Sequence, residues 1–358
     1  MGDGAPFRVL ALDGGGIRGV LPAVLLGELE ARTGRATAEL FDLIVGTSTG
    51  GILALALTAP RAAARFTPAD LLNLYETQGA RIFAPWPRSE GTRVVEDLIE
   101  KALHLDTGPR EPGSPLPWTR AVLHPKFGAE GIEGALQDVL GTASLASVAS
   151  TRVAVTSYDL DARALHVFRS WEAAATASAN FPIWQAARAT SAAPVFFPPA
   201  TVTSVDGSTT LHCVDGGVCV NDPAVLAVAE ARRLLRELGA DGRPLVVASV
   251  GTGAPPPSSL PFAAVQNAGL LEWLKHGLLD VIMGSGAFAA NFELGELLGA
   301  DEHFRLQPAT SGPGYAADPA MDDVSAANLA QLVAAARAFI AAQGPLFDQV
   351  ARILTASA

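Results

Sequence analysis

Two stretches of the sequence decide the fold: FRVLALDGGGIRG at residues 7–19 and FDLIVGTSTGG at residues 41–51. In each, an apolar run of strand length leads into a loop that contains glycines, and a helical pattern of apolar residues follows. The first helical pattern stops just before Gly34, where a helix C-cap is expected. Two strand–loop–helix units in succession indicate a parallel sheet covered by helices.

The rest of the chain continues this pattern without a clear internal boundary. Further strands are predicted at 152–158, 164–168, 201–205, 209–214 and 244–250, and helices at 223–239, 264–298 and 325–356. Asp206-Gly207 predicts a hairpin between two of these strands. We therefore expect one α/β domain over residues 1–358, with a central mostly parallel sheet flanked by helices and helical elaborations towards the C-terminus.

Within this domain we expect the functional motifs at residues 7–223 and a helical part over about 258–358. Two stretches rich in proline and glycine, at 85–88 and 107–118, are predicted to be surface loops. The second is long enough to form a lid or a partner-binding segment.

The composition and the net charge of the chain limit the classes of function that it can have. Hydrophobic residues make up 49% of the chain and charged residues 17%, which is typical of a protein with a large core. The net charge of −11 argues against binding to nucleic acid polymers, which needs a basic surface, and against long-range attraction to an anionic bilayer. Cys213 and Cys219 are too few for a disulfide framework, so we expect two small buried side chains in a reducing compartment, with a redox switch as the alternative.

The sequence predicts neither a signal peptide nor a transmembrane helix. Residues 1–6 lack the basic and apolar regions of a secretory signal. The uncharged run at 43–60 has the length of a membrane span, but the glycines around Ser48 interrupt it. We interpret this run as strand, turn and helix in a globular core, and we expect a cytoplasmic protein.

The pentapeptide Gly46-Thr47-Ser48-Thr49-Gly50 fits the G-x-S-x-G pattern of a nucleophile elbow. In such an elbow a serine sits on a strained turn between a strand and a helix, so that its hydroxyl projects into a cleft. The predicted strand before Ser48 and the predicted helix after it supply this context. We interpret Ser48 as a nucleophile supported by Gly46 and Gly50; the alternative is a turn that serves packing alone.

The loop Gly14-Gly15-Gly16 exposes several backbone N–H groups ahead of a predicted helix, and such a place favours negative charge. Two functions fit the loop: a phosphate cradle or an oxyanion hole for an acyl-transfer intermediate. The lysine of a P-loop does not follow, and a serine elbow in the same sheet favours the oxyanion hole. Arg18 can contact a lipid phosphate, stabilise developing charge or brace the loop, and these alternatives stay open.

The third motif, Asp215-Gly216-Gly217, follows a strand-like segment. An aspartate at a strand end with two glycines behind it can approach another loop closely, although an ordinary turn aspartate is the common alternative. The histidines after this motif, His276 and His303, lie in helical and strand-like patterns, so no catalytic histidine is expected.

In their order and spacing, these motifs resemble those of the patatin-like phospholipase family. The stretch 13–19 is similar to the family's D-G-G-G-x-R-G loop, 46–50 to its G-T-S-T-G elbow and 215–217 to its D-G-G/A motif. Between them, ATSAAP at residues 189–194, followed by Phe197, is similar to a segment that the family carries before this aspartate. Weaker likenesses at 249–253 and 321–323 extend the match towards the C-terminus.

The resemblance implies a lipid acyl hydrolase of the phospholipase A type. It implies a catalytic dyad in which Asp215 accepts the proton of Ser48, and an acyl-enzyme intermediate on that serine. The loop Gly14-Gly15-Gly16 with Arg18 is implied as the oxyanion hole, and Gly216 and Gly217 as supports of the base. No metal or organic cofactor is implied.

The expected partner is a membrane lipid or phospholipid, reached through peripheral contact with the membrane. One alternative is a phospholipase effector, either switched on by a cyclic oligonucleotide or acting as a toxin. Others are an idle binding or storage protein on the same fold, and a nucleotide-binding protein that uses the glycine loop. The sequence leaves open the lipid head group, a small-molecule activator and the oligomeric state.

Overall fold

The computed structural model describes residues 5–60, 66–87, 91–92, 94–95, 98, 124–254, 262–269, 272–273 and 278–356. The strands are β1 (Phe7–Leu12), β2 (Leu43–Gly46), β3 (Arg152–Asp159), β4 (Ala164–Arg169), β5 (Ala200–Thr203), β6 (Thr210–Asp215), β7 (Leu245–Val250), β8 (His303–Leu306), β9 (Ser311–Gly312) and β10 (Tyr315–Ala316). The α-helices are Val20–Thr33, Thr37–Leu40, Thr49–Thr58, Pro68–Ile82, Ala129–Leu140, Ser170–Ala175, Ile183–Thr190, Gly217–Val220, Ala224–Glu237, Phe262–Val265, Leu278–Leu297, Ala326–Ala342 and Gly344–Thr355. Short 3-10 helices span Gly16–Gly19, Leu145–Ser147 and Ala177–Ala179.

The central sheet is parallel through its middle and antiparallel towards one side. Its strands follow the order β5-β6-β3-β2-β1-β7-β8, and β4 pairs with β3 outside this path. The pairs β3–β2, β2–β1, β1–β7 and β7–β8 are parallel, whereas β3–β4, β3–β6 and β5–β6 are antiparallel. The predicted sheet, mostly parallel and flanked by helices, is therefore confirmed.

Both faces of the sheet are buried, and β1 shows how. Phe7, Val9 and Ala11 join one apolar cluster, which includes residues of the helix Ala224–Glu237. Leu10 and Leu12 join the other cluster, which lies against the helices that follow β1 and β2. A strand covered on both faces is apolar along nearly its whole length, as β1 is apart from Arg8, and for this reason β1 has the predicted bounds of residues 7–12.

The two glycine loops lie side by side at one edge of the sheet. Leu12, the last residue of β1, is paired with Gly46, the last residue of β2. Because the strands are parallel, the loops that leave them meet at the same carboxyl edge, where α/β folds place their ligands. The register therefore brings two of the predicted motifs together.

Several element ends differ from the prediction for local reasons. β2 begins at Leu43 because Phe41 is the C-cap of the helix Thr37–Leu40. The helix after the elbow begins at Thr49, directly after Ser48. β5 ends at Thr203, since the Val205 N–H donates to the Asn180 carbonyl instead of the hairpin ladder.

The cysteine prediction is half right. Cys213, on β6, is fully buried as expected. Cys219 lies in the short helix Gly217–Val220 and is exposed, so the expectation of a buried side chain is wrong for it. This four-residue helix covers little more than one turn, and only its glycine is buried.

The C-terminal part contributes to the sheet as well as to the helical layer. β8 pairs in parallel with β7, and the helices Ala326–Ala342 and Gly344–Thr355 follow it. Of the helices that the structure describes, none alone is long and apolar enough to cross a membrane; these last two pass that test of length and composition only as a pair, bent by 80°. The predicted loop at 107–118 lies outside the described residues.

Candidate active site

Ser48 occupies a strained turn between β2 and the helix Thr49–Thr58. Its backbone has φ 54° and ψ −124°, in the left-handed region that side chains other than glycine rarely adopt. The Ser48 N–H donates to Thr190 Oγ1 at 2.9 Å, and the Thr47 N–H donates to the Leu12 carbonyl at 3.1 Å. These bonds hold the turn in the conformation that a nucleophile elbow requires.

Gly46 and Gly50 are glycines because the elbow leaves no room for a Cβ atom. A Cβ at Gly46 would lie 2.3 Å from the Gly50 carbonyl oxygen, and one at Gly50 would lie 2.3 Å from the Leu12 carbonyl oxygen. Both contacts are with backbone, which cannot move aside without opening the turn. The geometry thus gives both glycines the supporting place that the sequence suggested.

Asp215 ends β6 and reaches Ser48 directly. The Ser48 hydroxyl donates to Asp215 Oδ2 at 2.6 Å, and the Gly217 N–H donates to Asp215 Oδ1 at 2.7 Å. The Asp215 side chain is fully buried, and burial raises the pKa of its carboxyl to about 7, against the opposing effect of these two hydrogen bonds. An aspartate with such a pKa can exchange a proton near neutral pH.

β3 explains why residues so far apart in the chain meet. Its first half pairs in parallel with β2 up to Gly46↔Val155, and its last residues pair with β6, beginning at Ser157↔Asp215. β6 runs antiparallel, so its end arrives beside the end of β2. Thr156, between the two pairings, bonds Thr47 through their hydroxyls at 2.7 Å.

The glycines of the base motif are also fixed by close neighbours. A Cβ at Gly216 would lie 2.1 Å from Thr156 Oγ1, and one at Gly217 would lie 2.5 Å from Met283 Cε. Gly217 additionally supplies the N–H group that binds the Asp215 carboxylate. The motif therefore packs Asp215 against the end of β3.

The three glycines of the Gly14–Gly16 loop differ in what their N–H groups do. The Gly14 N–H donates to the Asn221 carbonyl at 3.0 Å, so the expectation that Gly14 supplies an oxyanion donor is wrong. Within the described part of the chain, the N–H groups of Gly15 and Gly16 have no acceptor. A Cβ at Gly14 would lie 3.2 Å from the Cβ of Ser48, so the loop runs directly beside the serine.

Polar side chains from distant parts of the sequence hold this loop, and most of them could not be predicted from the sequence. Arg305 on β8 binds both oxygens of Asp13, at 3.0 and 2.5 Å, and contacts Asp222 at 3.3 Å. The Thr252 hydroxyl donates to the Gly14 carbonyl at 2.7 Å. Asp13 therefore shapes the loop, while Arg305 and Thr252 lack any local signature in the sequence.

Arg18 braces the glycine loop from within. Its Nε donates to the Gly15 carbonyl at 3.3 Å, and the Arg18 N–H donates to the same carbonyl at 3.2 Å. Of the three roles considered for Arg18, the contacts support bracing. In both of these hydrogen bonds the acceptor is the backbone carbonyl of Gly15.

An apolar cleft opens next to the Ser48 hydroxyl. Its empty volume is about 560 Å³, part of it open to solvent, and both Ser48 and Asp215 line it. The remaining walls are mainly aliphatic, aromatic and methionine side chains, among them Ile52, Tyr75, Ile82, Phe83, Ile132, Phe196, Phe197, Met283 and Met321. Walls of this polarity suit a hydrocarbon chain beside a reactive hydroxyl.

The segment ATSAAP supplies parts of both the elbow and the cleft. Thr190 ends the helix Ile183–Thr190 and accepts the Ser48 N–H. Ser191, Ala193 and the nearby Phe197 line the cleft. The sequence pointed to this segment only through its likeness to a family segment, without a role for any residue.

The described histidines are engaged elsewhere. His212 is exposed and pairs with Asp161 at 2.7 Å, and the Nε2 atom of His303 lies 2.8 Å from Ser249 Oγ. His166 packs against Phe168 and Phe181. His276 lies outside the described residues. Among the residues that the structure describes, no group of three or more His, Cys, Asp and Glu side chains could hold a metal ion.

The fold and the site define an α/β protein with a serine on an elbow, hydrogen-bonded to a buried aspartate, and both residues line an apolar cleft. The chain belongs to the patatin-like phospholipase family, whose sequence pattern matches residues 10–228. Membership of this family supports, in general terms, a lipid acyl hydrolase activity.

Relatives from plants match most of the chain at low identity. "Probable inactive patatin-3-Kuras 1" of Solanum tuberosum is 28% identical over 92% of this chain and 85% of its own length. "Patatin-like protein 2" of Arabidopsis thaliana is 29% identical over 80% of this chain and 70% of its own length. "Patatin-15" of Solanum tuberosum is 27% identical over 91% of this chain and 81% of its own length.

Proposed function

We propose that this protein is a serine-dependent lipid acyl hydrolase of the phospholipase A type, with Ser48 as nucleophile and Asp215 as its base. The observation that carries the proposal is the 2.6 Å hydrogen bond from the Ser48 hydroxyl to a buried aspartate, formed inside an apolar cleft. The hydroxyl already points its proton at the group that would take it.

The reaction proceeds in two steps. Ser48 Oγ attacks the ester carbonyl carbon while its proton moves to Asp215, and the N–H groups of Gly15 and Gly16 bind the oxyanion. The tetrahedral intermediate collapses, the alcohol leaves with the proton from Asp215, and the acyl group remains on Ser48. Water then gives its proton to Asp215, attacks the acyl carbonyl and releases the fatty acid, and the proton returns to Ser48.

The cleft supports an acyl chain as the part of the substrate that is recognised. Most of its lining side chains are apolar, Ile52 and Phe197 among them, whereas a head group would need polar partners. We therefore expect esters of longer fatty acids to be hydrolysed with a higher kcat/KM than acetate esters.

One relative carries the word inactive in its name, so an idle protein on the same fold is the competing proposal. A fluorophosphonate probe, which reacts with activated serines, separates the two. We expect labelling of the wild-type protein and release of fatty acid from mixed phospholipids and glycolipids, both lost in Ser48→Ala. If the wild-type protein is folded by circular dichroism but neither reacts with the probe nor hydrolyses esters, the result would instead support the idle protein.

A further inference from the structure

The helix Leu278–Leu297, which we name the cleft helix, has two faces with different surroundings. Met283 and Leu294 are buried on its inner face, at 5% and 0% exposure. Phe288 and Phe292 are 81% and 69% exposed, and Val281 is 45% exposed. At 100° per residue, Val281, Phe288 and Phe292 form one stripe on the side opposite to Met283.

The inner face of this helix is a wall of the candidate active site. Met283 lines the cleft together with Ser48 and Asp215. Val281 and Phe288 are two and five residues from Met283, which places them roughly 3 and 8 Å away along the helix axis. The exposed stripe therefore lies on the outer face of the helix whose inner face forms a wall of the cleft.

The charges on the cleft helix indicate what kind of surface the stripe contacts. The helix contains no Lys or Arg, its Glu293 and Glu296 are exposed, and the chain carries a net charge of −11. Such a face is repelled by anionic lipid and relies on apolar side chains that enter the boundary between head groups and acyl chains. Two phenylalanines that are mostly exposed on one helix mark an interaction surface.

We propose that the stripe Val281, Phe288 and Phe292 is the surface through which the protein rests on a neutral or zwitterionic lipid layer. The proposal rests on the proposed function, because a long-chain lipid ester resides in such a layer and must enter the cleft from it.

The test is sedimentation with phosphatidylcholine vesicles. We expect the wild-type protein to sediment with them, and the double variant Phe288→Gln/Phe292→Gln to lose about tenfold or more of its partitioning, since each ring contributes apolar burial. Val205→Gln is the matched control, because Val205 is 59% exposed in the β5–β6 turn at the edge strand of the sheet, and it should bind as wild type does. Replacing part of the lipid by phosphatidylglycerol should weaken the binding.

A soluble short-chain nitrophenyl ester separates this inference from the proposed function. The double variant should hydrolyse it at the wild-type rate while losing hydrolysis of vesicle lipid. A wild-type protein inactive on both substrates refutes the proposed function, yet the vesicle assay still decides on the surface. Equal vesicle binding by the wild type and the double variant overturns the inference. If, in addition, the double variant changes its oligomeric state, the stripe joins two copies of the chain and does not contact lipid.

Discussion

At the residue scale, the carboxyl of Asp215 combines full burial with a proposed role as base, which requires its ionised form. Burial raises its pKa to about 7, and the hydrogen bonds from Ser48 and Gly217 favour the ionised state without offsetting burial. A base with a pKa near the working pH is effective because it is both available and able to return its proton. The site is therefore built at a cost in stability.

We expect kcat/KM for a soluble ester to rise as the pH increases through about 7 and to level off above it, since the ionised Asp215 is the base. A pH–rate profile measures this. An activity that falls over the same interval would require a protonated group to start the reaction.

Asp215→Asn should raise the melting temperature at pH 8 while activity is lost. The folded protein holds the Asp215 proton more tightly than the unfolded chain, whose aspartates have a pKa near 3.9. Stability is therefore lost as the pH rises between about 4 and about 7, and asparagine avoids this loss. Calorimetry at pH 8 and pH 4 should show a gap in melting temperature that shrinks at the lower pH; a variant less stable than wild type at pH 8 contradicts the argument.

Thr190→Val tests the support of the elbow. The change removes the acceptor of the Ser48 N–H without altering side-chain size, and a buried donor without a partner costs about 1–3 kcal/mol. We expect a lower free energy of unfolding and a lower kcat. Thr77→Val is the control, because its hydroxyl binds a helix carbonyl on the surface, and it should change neither quantity.

At the scale of elements, β8 acts on the glycine loop through one side chain. Arg305 binds Asp13 at the start of the loop and Asp222 just before the helix Ala224–Glu237. Removing its guanidinium leaves two buried carboxylates without their cation, which costs about 3–5 kcal/mol when such a pair is broken.

We expect Arg305→Gln to lower stability by about this amount and to lower kcat through a displaced loop. Chemical denaturation and steady-state kinetics measure the two effects. Arg233→Gln serves for comparison, because its pairs with Glu172 and Glu237 are partly exposed and should contribute little. Equal losses in both variants would contradict a special role for Arg305.

The sequence predicts elements well where a local pattern decides and poorly where tertiary contacts decide. β1 is a mainly apolar run of strand length. The capping box formed by Thr67 and Asp70 marks the start of the helix Pro68–Ile82. The helix Ala129–Leu140 was not predicted because it contains Gly131 and Gly134, which weaken a helical pattern. In the fold both glycines lie against Arg81, where a Cβ would come within 1.9 and 2.2 Å of it.

The same division holds for the candidate site. The three motifs around Gly15, Ser48 and Asp215 are local sequences, so they could be found without a structure. Arg305 and Thr252 contact residues of the glycine loop that lie 292 and 238 positions away in the sequence. No local sequence pattern predicts partners at such a distance. The commitment of the Gly14 N–H to Asn221 likewise depends on tertiary structure.

At the scale of the whole molecule, the motifs of the candidate site depend on residues beyond the stretch 10–228 that carries the family pattern. β7 is covered by β8, and the buried side chains of Leu332 and Phe347, from the last two helices, belong to the core cluster that also contains the helix Val20–Thr33. The functional part and the C-terminal part therefore share one core.

A chain ending at residue 258 should fail to fold, although it contains every motif of the candidate site. It lacks β8, Arg305 and the helices that cover Val20–Thr33, so a large apolar surface would be exposed. Circular dichroism and limited proteolysis of this fragment beside the full chain provide the measurement. A protease-resistant, active fragment would show that the C-terminal part is dispensable.

The central claim is that an aspartate, and no histidine, activates Ser48. One measurement tests it directly: the kcat/KM of Asp215→Asn for a soluble nitrophenyl ester, compared with that of the six single histidine variants His104→Ala, His124→Ala, His166→Ala, His212→Ala, His276→Ala and His303→Ala. We expect Asp215→Asn to lose about 10³-fold or more and each folded histidine variant to stay close to wild type. Substantial activity in Asp215→Asn, or a folded histidine variant as inactive as Ser48→Ala, would contradict the dyad and require a triad.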